Sequence, residues 1–358
     1  MDIFIIATKS KASSSSSSPE IGVIMQQRAY IAIEASKDLA REASRKLVEE
    51  CGVFDLKATT YGYMVELCNQ RFTCPPIPFL YAEMSLHRYN FVKGTKFELI
   101  CVQKYVKSTG SAAASYYITL DAIDPAGSLQ TFQTKVSEKS VGKFILSCHI
   151  AIIRGEPRDG TGFLRRIDSS LPKCPPLNPF DTYYLVKESE LLENPWIRLY
   201  LELAVAKTDR HNEPKDAGLA DLEIVDVAID ATNDEGQGLN ANNAVFYIRY
   251  KDFYKANLDR IAIVRRSFDK ATGCFSLVGQ TQSSNVIPNM RKIANEEDTG
   301  CSSFKGQIQS PEPPTQISSP LGTSESHEAA NQLATMKLRN EEAAEDSMEL
   351  DSRSAQYN

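Results

Sequence analysis

The stretch 79–138 constrains this chain most. It reads FLYAEMSLHRYNFVKGTKFELICVQKYVKSTGSAAASYYITLDAIDPAGSLQTFQTKVSE. Its apolar period is near 3.6 at the start and two thereafter, so it predicts one helix followed by three strands that wrap it. Pro78 suits a helix start, where its missing N–H would be unpaired anyway. Ala82, Leu86 and Tyr89 recur at i, i+4 and i+7 and line one face; Glu83, His87 and Arg88 point elsewhere. Gly94 is a natural stop. Phe97, Leu99 and Cys101 then share one face of a strand. In the strand 116–123, Ile118, Leu120 and Ala122 alternate with Thr119 and Asp121. Turn chemistry at 124–128 leads to a returning strand at 131–136, and 144–153 is a further strand.

The second half repeats that order. A short helix at 187–193 ends at Pro195. Ile197, Leu199, Leu201, Leu203 and Val205 then alternate with Trp196, Arg198, Tyr200, Glu202 and Ala204, which predicts a strand over 197–205. Strands follow at 222–229, 245–250, 261–268 and 275–278, with a turn at 269–273. The fold class is therefore α+β, with two units that each set a helix against an antiparallel sheet. The expected organisation is a disordered start at 1–30, a helix and connector at 31–78, a first unit at 79–155, a linker at 156–178, a second unit at 179–284 and an acidic, mostly disordered tail at 285–358. In the first helix, over 33–51, Leu39, Ala43 and Leu47 stand four apart; the simplest reading packs them on the body, the other offers them to a partner. Within the tail, Ala330, Leu333, Ala334 and Leu338 could line a helix that folds on a partner.

Charge narrows the function classes. The formal net charge is −6, and 285–358 carries all of it with twelve acidic and six basic residues. The remainder is balanced, so nucleic acid is not an expected partner. No apolar run reaches membrane-spanning length. The start, MDIFIIATKSKASSSSSS, reads as low complexity, with a Ser-rich plastid transit peptide as the minor alternative. Without an export signal, the expected location is nucleus or cytoplasm. The eight cysteines are scattered without a CxxC pair, which suits free thiols in a reducing compartment; Cys101 and Cys148 fall in strand patterns and read as core.

No catalytic constellation emerges, so no catalytic, cofactor-binding or metal residue is assigned. His87, His149, His211 and His327 lack partners at HExxH or triad spacing. His87 is the most tempting, and a structural role on the helix edge is the simpler reading. Glu235-Gly236-Gln237-Gly238 lacks the context of a phosphate loop, and Asp226, Asp230, Asp234 and Glu235 lack EF-hand spacing. Arg260, Arg265 and Arg266 read as a solvated strand face.

YAEMSLHRYN, YYITLDAIDP and TFQTKVSEK resemble the plant cystatins, in which a helix like LARFAVDEHN precedes strands like YYITVEAKD and YEAKVWEKP. LHRYN, KESEL (187–191), WIRLYLELA (196–204), FYIRYKD (246–252) and DRIAIVRRSFD (259–269) are similar to a plant-specific family expanded in crucifers, with branches named for male sterility and for defective embryos. That resemblance spans roughly 79–283. It implies a cystatin/monellin-like fold and a non-enzymatic role in reproductive development, in male meiosis or embryo formation. Contacts would run through sheet edges and the acidic tail. The alternative it implies is cysteine-protease inhibition. Against that, the QxVxG hairpin positions hold Thr109, Gly110, Ser111, Ala112 and Ala113, and the Pro-Trp positions hold Ser140 and Val141.

Overall fold

Proline opens and glycine closes the helix at the heart of the first half. In the computed structural model, which describes residues 19–69, 73–157, 168–209, 218–231, 238–255 and 258–284, this helix is α2 (Pro76–Lys93). Pro75 precedes it in extended backbone, and Gly94 ends it at φ 66° with its N–H returned to Asn90 O. The Asn90 side chain then sets the exit. Its Nδ2 donates to Phe97 O at 2.8 Å, and its Oδ1 accepts from Phe97 N and the Thr95 hydroxyl, both at 2.9 Å.

A strand stands on the chain before α2 and four after it: β1 (Tyr63–Leu67), then β2 (Glu98–Ser108), β3 (Ser115–Ile123), β4 (Leu129–Glu138) and β5 (Phe144–Ile153). The second half runs α3 (Pro179–Thr182), β6 (Tyr184–Leu185), α4 (Glu188–Glu193), α5 (Trp196–Thr208), β7 (Leu222–Asp230), β8 (Ala244–Asp252), β9 (Leu258–Asp269) and β10 (Cys274–Ser283). Each half is thus a short edge strand, a helix and four more strands. The two halves form one antiparallel sheet in the order β1-β2-β3-β4-β5-β10-β9-β8-β7-β6, joined where Phe275 of β10 faces Cys148 of β5. The stretch read as a linker leads between strands of this one sheet.

One core serves both halves. Tyr81, Met84 and Leu86 of α2 and Tyr200, Leu201 and Leu203 of α5 are buried with Phe132, Leu146, Phe246 and Phe275 of the sheet. Polar ties cross the join. Lys207 of α5 meets Glu138 of β4 at 2.8 Å, both side chains under a tenth exposed, and the Tyr81 hydroxyl donates to the same carboxylate at 2.6 Å. Arg88 of α2 donates to Gly273 O at 2.6 and 3.0 Å. On the other face of the sheet, Ala228, Tyr247, Ile261 and Ile263 are covered by Cys174, Phe180 and Tyr183. That cover is held by Gln280 donating to Pro172 O at 2.7 Å and by an Arg265–Asp168 pair at 3.0 Å.

The α+β class expected from the sequence is the class observed, and several of its readings need correction, among them the packing of Leu39, Ala43 and Leu47 on the body, since all three are exposed. The strand expected over 197–205 is helix α5. Ile197, Leu199, Tyr200, Leu201, Leu203, Ala204 and Val205 are all buried, because α5 lies between the sheet and α2. A helix buried nearly all round shows no single apolar stripe, so a chance alternation passes for a strand. Arg88 does not point away from the core; it is buried against the β9–β10 turn, and His87 faces α5. Cys101 is exposed while Cys148 is buried. Register shifts between Leu99 and Cys101 and between Val102 and Lys104 rotate β2 so that Val102 and Tyr105 join the core, while Val106 is buried on the opposite face. The start read as disordered through residue 30 already contains helix from Pro19: α1 spans Pro19–Cys51. The connector at 53–78 holds β1 and a 3-10 turn, Val53–Asp55, whose Phe54 is buried and packs edge-on to Tyr117. The tail at 285–358 lies outside the described residues.

Candidate functional site

Where α2 crosses α5, the fold gathers its chemically able side chains. Nε2 of His87 shares a 2.9 Å hydrogen bond with the Tyr200 hydroxyl. Its ring stacks on Trp196 at 5.0 Å and 19°, with Phe275 edge-on at 5.6 Å. Beneath them lies Arg266 of β9, fully buried, its guanidinium 4.8 Å from the Phe91 ring and 5.1 Å from those of Trp196 and Phe246. It donates to Leu239 O at 2.7 Å and to Ala241 O, while Nε and Nη1 find no hydrogen-bond partner among the described residues. Aromatic faces and carbonyl dipoles supply the negative potential a carboxylate would otherwise give.

This cluster is ill suited to moving protons near neutral pH. Burial, and secondarily the Arg266 charge, pull His87 down to about 3. Burial pushes Tyr200 up to about 12 against the opposing Arg266 charge. A general acid or base works best with its pKa near the working pH, and both groups here stay neutral. They act as a fixed bridge between the halves. Above them, Glu83 is pushed up to about 7 by burial and then by the Glu202 charge across the helix pair; Glu202, held by Arg198 at 2.8 Å, is itself raised by burial.

A second pairing lies on the sheet. Cys274 Sγ is 3.8 Å from His149 Nε2. Burial, then the nearby Cys148, push the Cys274 thiol up to about 12; burial and then Lys139 lower His149. That is a neutral thiol beside a neutral imidazole, without the thiolate a cysteine nucleophile requires. The cleft beside His149, lined by Arg88, Tyr89, Val92 and Lys93, has about 40 Å³, room for a few waters. A wider open groove of about 560 Å³ lies between Lys96, Glu190, Glu193, Asn194, Leu239 and Asn240 and carries no histidine or cysteine.

The other residues singled out in the sequence scatter. Asp226 pairs with Arg249 at 3.4 Å. Arg260 pairs with Asp209 at 2.8 Å, Arg265 is held by Asp168 and Arg266 is in the core, so the three arginines are no solvated strand face. His211, Asp234, Glu235 and His327 lie outside the described residues. Among the described residues, no three His, Cys, Asp or Glu side chains cluster to hold a metal, and no helix is long and apolar enough to cross a membrane. Trp196, Tyr200 and Cys274 were not singled out as functional candidates, and Arg266 was read only as part of a solvated strand face. A signal for Arg266 did exist: at period two, adjacent Arg265 and Arg266 must face opposite sides of β9, and one side carries Ala262 and Val264.

The structure defines an α+β protein whose single ten-stranded sheet carries two packed helices on one face. The family model described as Protein MS5 matches residues 171–277. The UPF0725 protein At3g25080 of Arabidopsis thaliana is 63% identical over 173 residues, covering 46% of this chain and 98% of that protein. UPF0725 protein EMB2204 of the same plant is 39% identical over 218 residues, covering 56% of this chain and 64% of its own length. The crystal structure of MS5 from Brassica napus is 33% identical, with a TM-score of 0.49, covering 59% of this chain and 99% of that one. This chain belongs to the plant UPF0725 family, the family of protein MS5, as its LHRYN, WIRLYLELA and FYIRYKD blocks led one to expect.

Proposed function

We propose that this protein acts in plant reproductive or embryo development through protein contacts, without catalysing a reaction. Its family includes MS5 and EMB2204, names that match the branches named for male sterility and for defective embryos. The observation that carries the non-enzymatic part is the state of the side chains the fold brings together. His87, Tyr200 and Cys274 are each held in their neutral form by burial. The contact surfaces are the outer edges of β1 and β6 and the acidic residues 285–358, and the site of action is nucleus or cytoplasm.

Affinity purification from young flower buds tests this, using the full chain and a chain lacking 285–358. Specific co-purifying proteins, fewer of them without the tail, are expected. A bait that enriches nothing over control, or turnover of a substrate by the purified protein, overturns the reading. The rival, cysteine-protease inhibition, draws support from the strand–helix–strand order of the first half. Against it, Thr109–Ala113 and Ser140–Val141 offer neither the glutamine and valine nor the tryptophan of an inhibitory wedge. Papain at micromolar protein concentration keeps its full activity on the proposed reading.

A further inference from the structure

We propose that the outward stripe of α1 is a homodimer seam whose occupant is the same stripe of a second copy, running antiparallel. The helix is 33 residues long yet meets the body along one line. Ser44 is buried and donates to Tyr61 O at 2.7 Å, the Arg41 guanidinium sits 5.3 Å from the Tyr61 ring, and Val48 is half-buried. Those residues share one helix face. At about 100° per residue, Ile33, Ser36, Leu39, Ala40, Ala43 and Leu47 fall together in another sector of about 120°. All six are exposed, Leu39 at 73%, Ile33 at 53% and Leu47 at 40%. Glu34, Lys37, Asp38, Arg41, Glu42, Arg45, Lys46 and Glu49 all lie outside that sector, and Glu50, the next step along it, ends the apolar stripe beyond Leu47. The spacing 33, 36, 40, 43, 47 alternates three and four, the step of a helix that pairs with another helix.

The charges say what kind of partner fits. Each cation on this stretch is matched within its own helix: Lys37 with Glu34 and Arg41 with Asp38 at 2.8 Å, Arg45 with Glu42 at 2.7 Å and Glu49 at 2.6 Å, and Lys46 with Glu42 at 3.7 Å. Over 33–47 an acidic or basic partner finds no unpaired ion among the described residues, so recognition there falls to the apolar seam. That seam reads the same in both directions: Ile33, Ser36, Ala40, Ala43, Leu47 is large, small, small, small, large. A two-fold axis at Ala40 sets Ile33 of one copy beside Leu47 of the other at both ends and lets the backbones approach at the small residues between them. Such a self-matching surface is what an isologous interface requires. The seam spans about 21 Å, which makes a dimer of modest affinity.

Sedimentation velocity on the full chain at about 1 to 100 μM tests the proposal, with dissociation constants in the micromolar range expected for so short a seam. The wild type passes from monomer to dimer, and raising the salt leaves the dimer intact. Ile33→Glu with Leu47→Glu weakens it at least about tenfold, while the melting temperature of the body is unchanged because both positions are exposed. Under mild oxidation, Ala40→Cys links two copies above the background of the native thiols, and Ile33→Cys alone does not. A chain monomeric throughout the range overturns the proposal, whether the stripe is then covered by another part of the chain or by a different protein. A dimer unaffected by the double substitution, or one that salt dissolves, overturns it equally.

Discussion

Replacing Lys207 with methionine tests whether the halves are locked together by their buried ion pair. Lys207 Nζ and Glu138 Oε1 are 2.8 Å apart with side chains 9% and 8% exposed, and the pair links α5 of the second half to β4 of the first. Methionine keeps the length of the stem but leaves the Glu138 carboxylate in the core with the Tyr81 hydroxyl, 2.6 Å away, as its remaining side-chain partner among the described residues. Removing one member of a buried pair costs about 3–5 kcal/mol. A body of this size loses about 2–4 °C of melting temperature per kcal/mol, so the drop should be about 6–20 °C. Adding Glu138→Leu removes the stranded charge and orphans only Tyr81, a cost of about 1–3 kcal/mol. The double variant should therefore melt above Lys207→Met. Calorimetry or denaturant unfolding of the wild type, both single variants and the double variant closes the cycle. Additive losses, or a loss below about 1 kcal/mol for Lys207→Met, would refute the claim that this pair is desolvated and coupled.

Three further outcomes follow from the core. His87 is held at about 3 against an ordinary value near 6.5, so the unfolded chain binds the extra proton between those limits. Stability should be full above about pH 6.5 and fall as pH drops toward 3, by at most about 1.4 kcal/mol per unit, and His87→Gln should flatten that slope in urea titrations. Gly279→Ala places a Cβ 2.6 Å from Ile263 O and 2.7 Å from the Phe144 ring at the join of β10 with β5 and β9; a loss of about 1–3 kcal/mol in thermal unfolding is expected. Timed alkylation at pH 8 followed by peptide mass spectrometry should label exposed Cys51 well before buried Cys148 and Cys274, whose thiols burial pushes up.

The strands were legible because most of them bury one face. Val136, Phe246 and Leu277 sit where alternation puts them, and Gly94 ends α2 where a left-handed residue was needed. The candidate site was half legible. His87 stood out as a polar group in the LHRYN block, but its partners come from α5 and β9, 109 residues or more further along. No local pattern announces that Trp196, Tyr200 and Arg266 will meet it. The reading of α5 failed for a related reason: its neighbours on both sides lie far off in the chain, so full burial erased the one-sided pattern by which a helix is recognised.

What the sequence determined by itself was local and periodic: the helix 76–93 between proline and glycine, the strands that alternate, the neutral body with its acidic tail, and the blocks that mark the family. Tertiary structure alone decided that β5 pairs with β10 so that two halves share one sheet, that α5 is a helix wedged against α2, and that Arg266 faces inward among aromatic rings. Periodicity and caps are settled by neighbours a few residues away. Burial on every side, and the charge state it imposes, depend on which distant surfaces close over a residue, and that is known only once the sheet has formed.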